Sequence, residues 1–226
     1  PTRSQMLADL RAVMSIATPA VLTNLASPLA LAVLAAVMAR YGDGVIAANT
    51  IIDRIVPLAY GVVFALSGAV GPILGQNLGA RRYDRVEKAL RDALIFMIAY
   101  IVAVWLVLMA LSGRIPAMFG VTGEVADLVT FFCLISGPTW LFLGALFIGN
   151  AAFNNLGFPF YATAFNWGRA TLGTVPFTLA GAWLAGPRGA SVGFSAGSAM
   201  FGIGAAFVAF RLVARMKDRG DLDIKA

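Results

Sequence analysis

Apolar positions in this chain fall in long unbroken runs, without the alternation of a half-buried strand. The runs cover roughly 12–39, 45–77, 89–112, 123–149, 158–185 and 189–214. Each is close to or longer than the ~20 residues that carry a helix across a ~30 Å hydrocarbon core. Gly, Pro and Asn punctuate the gaps, as at Tyr41-Gly42-Asp43-Gly44, Ser112-Gly113-Arg114, Asn154-Asn155-Leu156-Gly157 and Gly186-Pro187-Arg188. Ahead of the first run, Met6, Leu7, Leu10, Val13 and Met14 share one helical face while Arg3, Asp9 and Arg11 lie elsewhere. That spacing predicts a short interfacial helix over 4–14 that feeds the first span. The two-residue period of a membrane β-barrel is absent. The pattern therefore predicts an all-α fold: one polytopic bundle of six transmembrane helices over residues 1–226, closed by a polar tail from Arg215 to Ala226.

Composition agrees. Hydrophobic residues make up 60% of the chain and charged residues 12%, against roughly 45–50% and about 25% in soluble domains. The net charge of +6 follows the loops. Two basic residues precede the first span, five lie on the 78–91 loop and five in or beside the C-terminal tail. Only Arg40, Arg114 and Arg188 lie on loops of the other side. The asymmetry predicts a multi-pass protein of the cell inner membrane with both termini cytoplasmic. It is a topology signal, so no nucleic-acid partner is expected; the bilayer is. Histidine is absent and Cys133 is the single cysteine. Acids are not clustered in any span. Zinc or Ser-His hydrolysis and divalent-metal phosphotransfer thus lack their residues, and neither a catalytic residue, a metal nor a cofactor is expected.

Polar groups inside spans are costly and mark candidate sites. Counted from Phe158, Arg169 lies about 16 Å into its span, near mid-depth. Alternatively the span starts near residue 170, and Arg169 snorkels beside an interfacial Trp167. Asp53 and Arg54 lie inside the second run, unless 55–77 crosses alone and leaves both among headgroups. Asn150, Asn154 and Asn155 end the fourth run, where they either satisfy backbone carbonyls or touch substrate. Depth matches Asp53 to Arg169 and predicts an ion pair. In the second run Ser67, Gly71, Gly75 and Gly79 recur every four residues, a small-residue stripe suited to close helix contact. Asp84 and Glu87 are placed to cap the next helix, with Asp84–Lys88 and Glu87–Arg91 as i,i+4 pairs.

The stretch Gly75-Gln76-Asn77-Leu78-Gly79-Ala80-Arg81-Arg82, followed by Asp84-Arg85, resembles the loop signature of the multidrug and toxic compound extrusion (MATE) transporters. Other pieces agree in order: Thr18-Pro19-Ala20, Ala39-Arg40-Tyr41-Gly42, Met118-Phe119-Gly120, Asn150-Ala151-Ala152-Phe153-Asn154-Asn155-Leu156-Gly157 and Asn166-Trp167-Gly168-Arg169. The resemblance covers nearly the whole chain and implies the C-terminal six-helix lobe of a twelve-helix transporter, the N-terminal lobe lying outside this sequence. It implies a secondary antiporter that exports organic cations, drugs or metabolites by alternating access in exchange for H⁺ or Na⁺. The cavity or transport candidates are Arg169, Asp53, Arg54, Asn24, Asn150, Asn154, Asn166 and Trp167. The family loop motif is Gly75, Gln76, Asn77, Gly79 and Ala80.

One departure bears on the coupling ion. Some Na⁺-linked members carry acids on the first and fourth spans of this half. Here the first span has Asn24 and no acid, and Asp127 lies near the start of the fourth. H⁺ is therefore expected over Na⁺, with its titrating carboxylate in the other lobe. A flippase of the same superfamily would show several cavity arginines, whereas only Arg169 and Arg54 qualify here. An inactive half-length fragment is the remaining alternative.

Overall fold

A computed structural model describes the backbone of residues 3–223, with side chains described at residues 6, 9, 10, 14 and 21 and from 23 to 218. Helix α1 (Arg3–Met38) ends in a 3₁₀ turn, Ala39–Tyr41, and Gly42 at φ 101° turns the chain into α2 (Asp43–Gly79). Then come α3 (Tyr83–Leu111), the single turn α4 (Ile115–Met118) and α5 (Gly123–Asn155). Helix α6 (Pro159–Gly168) passes through a π turn, Arg169–Gly173, into α7 (Val175–Asp223). Inside α7 the backbone leaves helical geometry at Ala185 and Gly186. Gly186 has φ 59°, a left-handed value that glycine adopts freely. Pro187 follows and cannot donate to the preceding turn. The chain reverses there. Among the described residues five segments are long and apolar enough to cross a membrane, and the last, Pro159–Asp218, crosses twice because of this reversal. The bundle thus has the six crossings that the hydrophobic runs predict.

The interfacial helix expected over 4–14 is not a separate element. The backbone runs from it into the first span without a break.

Packing follows the small residues. A Cβ at Gly181 would overlap the Gly189 carbonyl, one at Gly193 that of Phe177, and one at Gly197 that of Gly173. The two arms of the 159–223 hairpin therefore touch backbone to backbone. Helix α5 runs through the middle of the bundle: Gly137 holds the Trp105 ring of α3, Gly144 holds Met97, and the Phe142 carbonyl abuts Gly202 of α7. Of the stripe on α2, the Ser67 hydroxyl donates to the Phe147 carbonyl at 3.3 Å, and Gly71 packs on the Asn155 side chain. Gly75 lies farther from Asn155, and Gly79 is open. Small residues serve helix contact in the apolar part of α2 only.

The turn that carries the Gly-Gln-Asn motif is a helix C-cap. Arg82 N–H donates to the Asn77 carbonyl at 2.8 Å and Arg81 N–H to the Leu78 carbonyl at 2.9 Å. That pair of bonds defines a Schellman motif, with Arg81 at φ 55° where glycine is usual. The expected capping box does not form. Arg82 is the N-cap of α3 with no side-chain bond, and Asp84 instead accepts from Lys217 Nζ at 2.5 Å. Of the two expected i,i+4 pairs, Glu87–Arg91 forms at 2.7 Å and Asp84–Lys88 does not.

Lys217–Asp84 places the C-terminal tail on the same face as the 80–83 turn. On the opposite face the Tyr41 hydroxyl donates to the Ala182 carbonyl at 2.8 Å, and the Arg188 guanidinium lies 5.5 Å from the Phe131 ring centroid. A first prediction follows. Single cysteines at positions 82 and 188, in a Cys133→Ala background, should react with an impermeant maleimide from opposite sides of the membrane. Labelling of both from one side would overturn this arrangement.

Candidate functional site

Two cavities open along one flank of the bundle. The first, about 250 Å³, lies between α1, α2, α5, the π turn and the second arm of α7. The second, about 800 Å³, lies nearer the basic face, between α1, α2, α5 and α6. Ser27 and Phe147 line both.

Aromatic rings form part of the wall of the first cavity. The Tyr60 ring lies 6.0 Å from Trp140 and 6.1 Å from Phe147, both edge to face, and Phe64 lies 5.2 Å from Phe147. The Tyr60 hydroxyl is anchored: it donates to the Trp140 carbonyl at 2.6 Å, joining α2 to α5. Ser136, Thr139 and Ser191 add hydroxyls, and Thr139 is bonded to Ser195 across the α5–α7 contact.

Arg169 supplies the buried cation of this wall. It opens the π turn, whose i→i+5 bond runs from Thr174 N–H to the Arg169 carbonyl at 2.7 Å. Pro176 stands just beyond; it lacks an N–H, and its ring would strike the carbonyl four residues back in a regular helix. The widened turn avoids that collision, and such turns are frequent at functional sites. Arg169 is 3% exposed and lines the cavity. One Nη donates to Ser27 Oγ at 3.0 Å, and Nε has no acceptor. Its orientation is inward, and the snorkelling alternative does not describe this structure.

The expected Arg169–Asp53 ion pair is not formed. Both residues line the same cavity, yet among the described residues no carboxylate lies within 4.0 Å of Arg169. Asp53 accepts instead from Asn49 Nδ2, one turn back on its own helix, at 2.9 Å. Each group has a nearer neutral partner, Asn49 for Asp53 and Ser27 for Arg169.

The other candidates divide. Asn24, Asn150, Asn154 and Asn166 line the second cavity. Asn166 is buried and donates to the Ala162 carbonyl at 2.8 Å, while Asn150 Oδ1 is buried without a donor. Asn155 belongs with them and donates to the Ala151 carbonyl. Arg54 is exposed and lines neither cavity. Trp167 packs against Ala26, Ala30, Ala170 and Phe194 rather than facing a cavity. Gly75, Gln76, Asn77, Gly79 and Ala80 form the end of α2, where Asn77 Nδ2 donates to the Ile73 carbonyl; they belong to the C-cap and to neither cavity. Sequence reasoning missed Ser27, Tyr60, Trp140 and Phe147. No spacing distinguishes them from other apolar and small residues of the same spans.

The geometry is that of a helical membrane bundle with two adjoining cavities beside α1, α2 and α5. Comparison with known proteins gives the particular family. The MatE family model matches residues 19–179, and the chain belongs to that family. It is 28% identical over 202 residues to a FAD transporter of Shewanella oneidensis, covering 89% of this chain and 45% of that protein. It is 38% identical over 129 residues to an uncharacterized 21 kDa protein of Pseudomonas savastanoi, covering 57% of this chain and 43% of that one. Its fold matches the bent form of the Vibrio cholerae MATE transporter VcmN with a TM-score of 0.85 at 23% identity, over 97% of this chain and 49% of that one. An inward-facing multidrug resistance MATE transporter matches with a TM-score of 0.85 at 17% identity, over 96% and 50%. The chain spans about half the length of the relatives it matches.

Proposed function

We propose that this chain is the C-terminal lobe of a secondary active antiporter that exports small organic molecules by alternating access, coupled to H⁺ rather than Na⁺. The observation that carries the reading is a groove of two cavities that share Ser27 and Phe147, on a scaffold whose solved relatives are twice as long. An alternating-access site lies between two such bundles near mid-membrane. Aromatic faces suit drugs, organic cations and metabolites alike. The choice of H⁺ rests on the acids: none clusters among the described residues, and the interior of α5 carries none. The flippase alternative is weakened because Arg169 lines the groove while Arg54 does not. Its cellular setting is proposed as the inner membrane, with the basic face cytoplasmic.

Uptake of ethidium and, in parallel, of 2-naphthoate into inverted vesicles, with H⁺ and Na⁺ gradients imposed separately, tests the reading for a cation and for an anion. Stimulation by the H⁺ gradient supports it; stimulation by Na⁺ alone reverses the ion assignment. A second expected outcome concerns the chain by itself. Proteoliposomes holding only these 226 residues should show no exchange, because one wall cannot present a closed site to each side in turn. Exchange by a chain shown to be monomeric would overturn the single-lobe reading.

A further inference from the structure

Arg169 is poorly served where it stands. A guanidinium carries five N–H donors in a planar fork and does not deprotonate in proteins. Here one Nη reaches a neutral hydroxyl, that of Ser27, and Nε reaches nothing. The residue is 3% exposed and lies within the apolar segment Pro159–Asp218. Isolated charge at that depth is retained in membrane proteins when it faces a cavity and a partner. The acid on the same cavity wall, Asp53, is held by Asn49 and makes no ion pair with it. Tyr60, Trp140 and Phe147 line the same cavity as Arg169, with Tyr60 edge to face against the other two rings. The Tyr60 hydroxyl is already committed to the Trp140 carbonyl and does not compete for an incoming anion.

We propose that Arg169 recognises an anionic group, a carboxylate or a phosphate, on an aromatic solute whose rings lie against Tyr60, Trp140 and Phe147. The proposal rests on the transport reading above and narrows its substrate class. Two oxygens of a carboxylate or phosphate match the planar fork of a guanidinium. The ring body gains stacking or edge contacts on the aromatic wall. A purely cationic solute would place like charge beside Arg169 in a low-dielectric wall, which is unfavourable. Asp53, on the same cavity, leaves room for a positive group elsewhere on the solute, so aromatic zwitterions fit and simple cations fit less well.

Four probes with one ring system separate charge from shape: 2-naphthoate, 2-naphthyl phosphate, neutral 2-naphthamide and cationic 2-naphthylmethylammonium. Binding is measured to the intact protein in nanodiscs of phosphatidylcholine, where no anionic lipid competes. At least one anionic probe should bind about tenfold tighter than the amide, the effect of one charge-assisted fork. Preference for the phosphate or for the naphthoate assigns the group. Arg169→Gln should bring the anion-to-amide ratio close to one, and Arg169→Lys should keep part of it. Equal binding of anions and amide by the unmodified protein overturns the proposal, as does tighter binding of the cation or absence of binding by both anions. A ratio that survives Arg169→Gln overturns it as well. Should Arg169→Gln fail to fold, the ratios of the unmodified protein and of Arg169→Lys decide. Flux in proteoliposomes is read separately. An anion preference without flux of any probe supports the anion site and removes the transport reading.

Discussion

Alanine at both Gly193 and Gly197 is expected to abolish recovery of folded protein from the membrane, with either single change lowering the thermal midpoint in detergent. The positions lie on the second arm of α7, where each added Cβ meets backbone, Phe177 O or Gly173 O, rather than the end of a flexible side chain. A side chain yields by changing rotamer, but a carbonyl moves only if its helix moves. Overpacking costs ~1–3 kcal/mol per site even in adaptable cores, and two insertions on one seam force the same helix outward twice. In hydrocarbon the seam has little else to hold it, because association there depends on close van der Waals contact and not on burial from water. Gly61→Ala is the matched control. A Cβ added at that glycine would meet nothing within 4 Å, and the residue sits in α2 at ordinary helical φ. Its replacement should be neutral or raise the midpoint, since alanine favours helix by ~1 kcal/mol over glycine. If Gly193→Ala and Gly197→Ala behave like Gly61→Ala, the two arms are not in backbone contact.

The same seam shows what the sequence makes legible. Gly186-Pro187-Arg188 announces a reversal because glycine permits φ 59° and proline blocks continuation. Long apolar runs announce crossings because hydrocarbon leaves backbone groups no partner except their own helix. That Arg169 is held inside the protein was legible from its place well within an apolar run, and it is 3% exposed. Lateral position was not. The count matched Asp53 to Arg169, but which residues meet across a cavity depends on helix rotation, and about 100° per residue leaves that open in a span apolar all round. Asp53 turned to Asn49 and Arg169 to Ser27 for that reason. Asp84 shows the same limit: a local rule made it a helix cap, and a lysine 133 residues away, Lys217, claimed it instead. The π turn was half legible. Pro176 predicts a kink, while the choice of a widened turn that begins at Arg169 depends on packing against α7.

Trp140→Ala is expected to lower stability and to weaken every aromatic probe together. The indole is 3% exposed, stands edge to face with Tyr60, and lines the same cavity as Arg169. Truncating a buried Trp costs ~3–5 kcal/mol in soluble cores. The cost here should fall toward the lower end, because one face of the ring already borders open volume and loses fewer contacts. Trp140→Phe keeps a ring at the site and should recover most of the midpoint. For binding, an aromatic contact is worth ~0.5–1.5 kcal/mol, so naphthoate and naphthamide should each weaken by a factor of about two to ten. Their ratio should not change, because Arg169 still sits in the π turn and still faces the cavity. Arg169→Gln should do the converse, narrowing the ratio. The two substitutions thereby separate ring recognition from charge recognition in one cavity. Probe affinities that hold steady in Trp140→Ala while the midpoint falls would show that the indole braces α2 against α5 and does not touch the solute. A ratio that collapses along with the affinities would show instead that Trp140 positions Arg169, and that the aromatic wall and the guanidinium act as one unit.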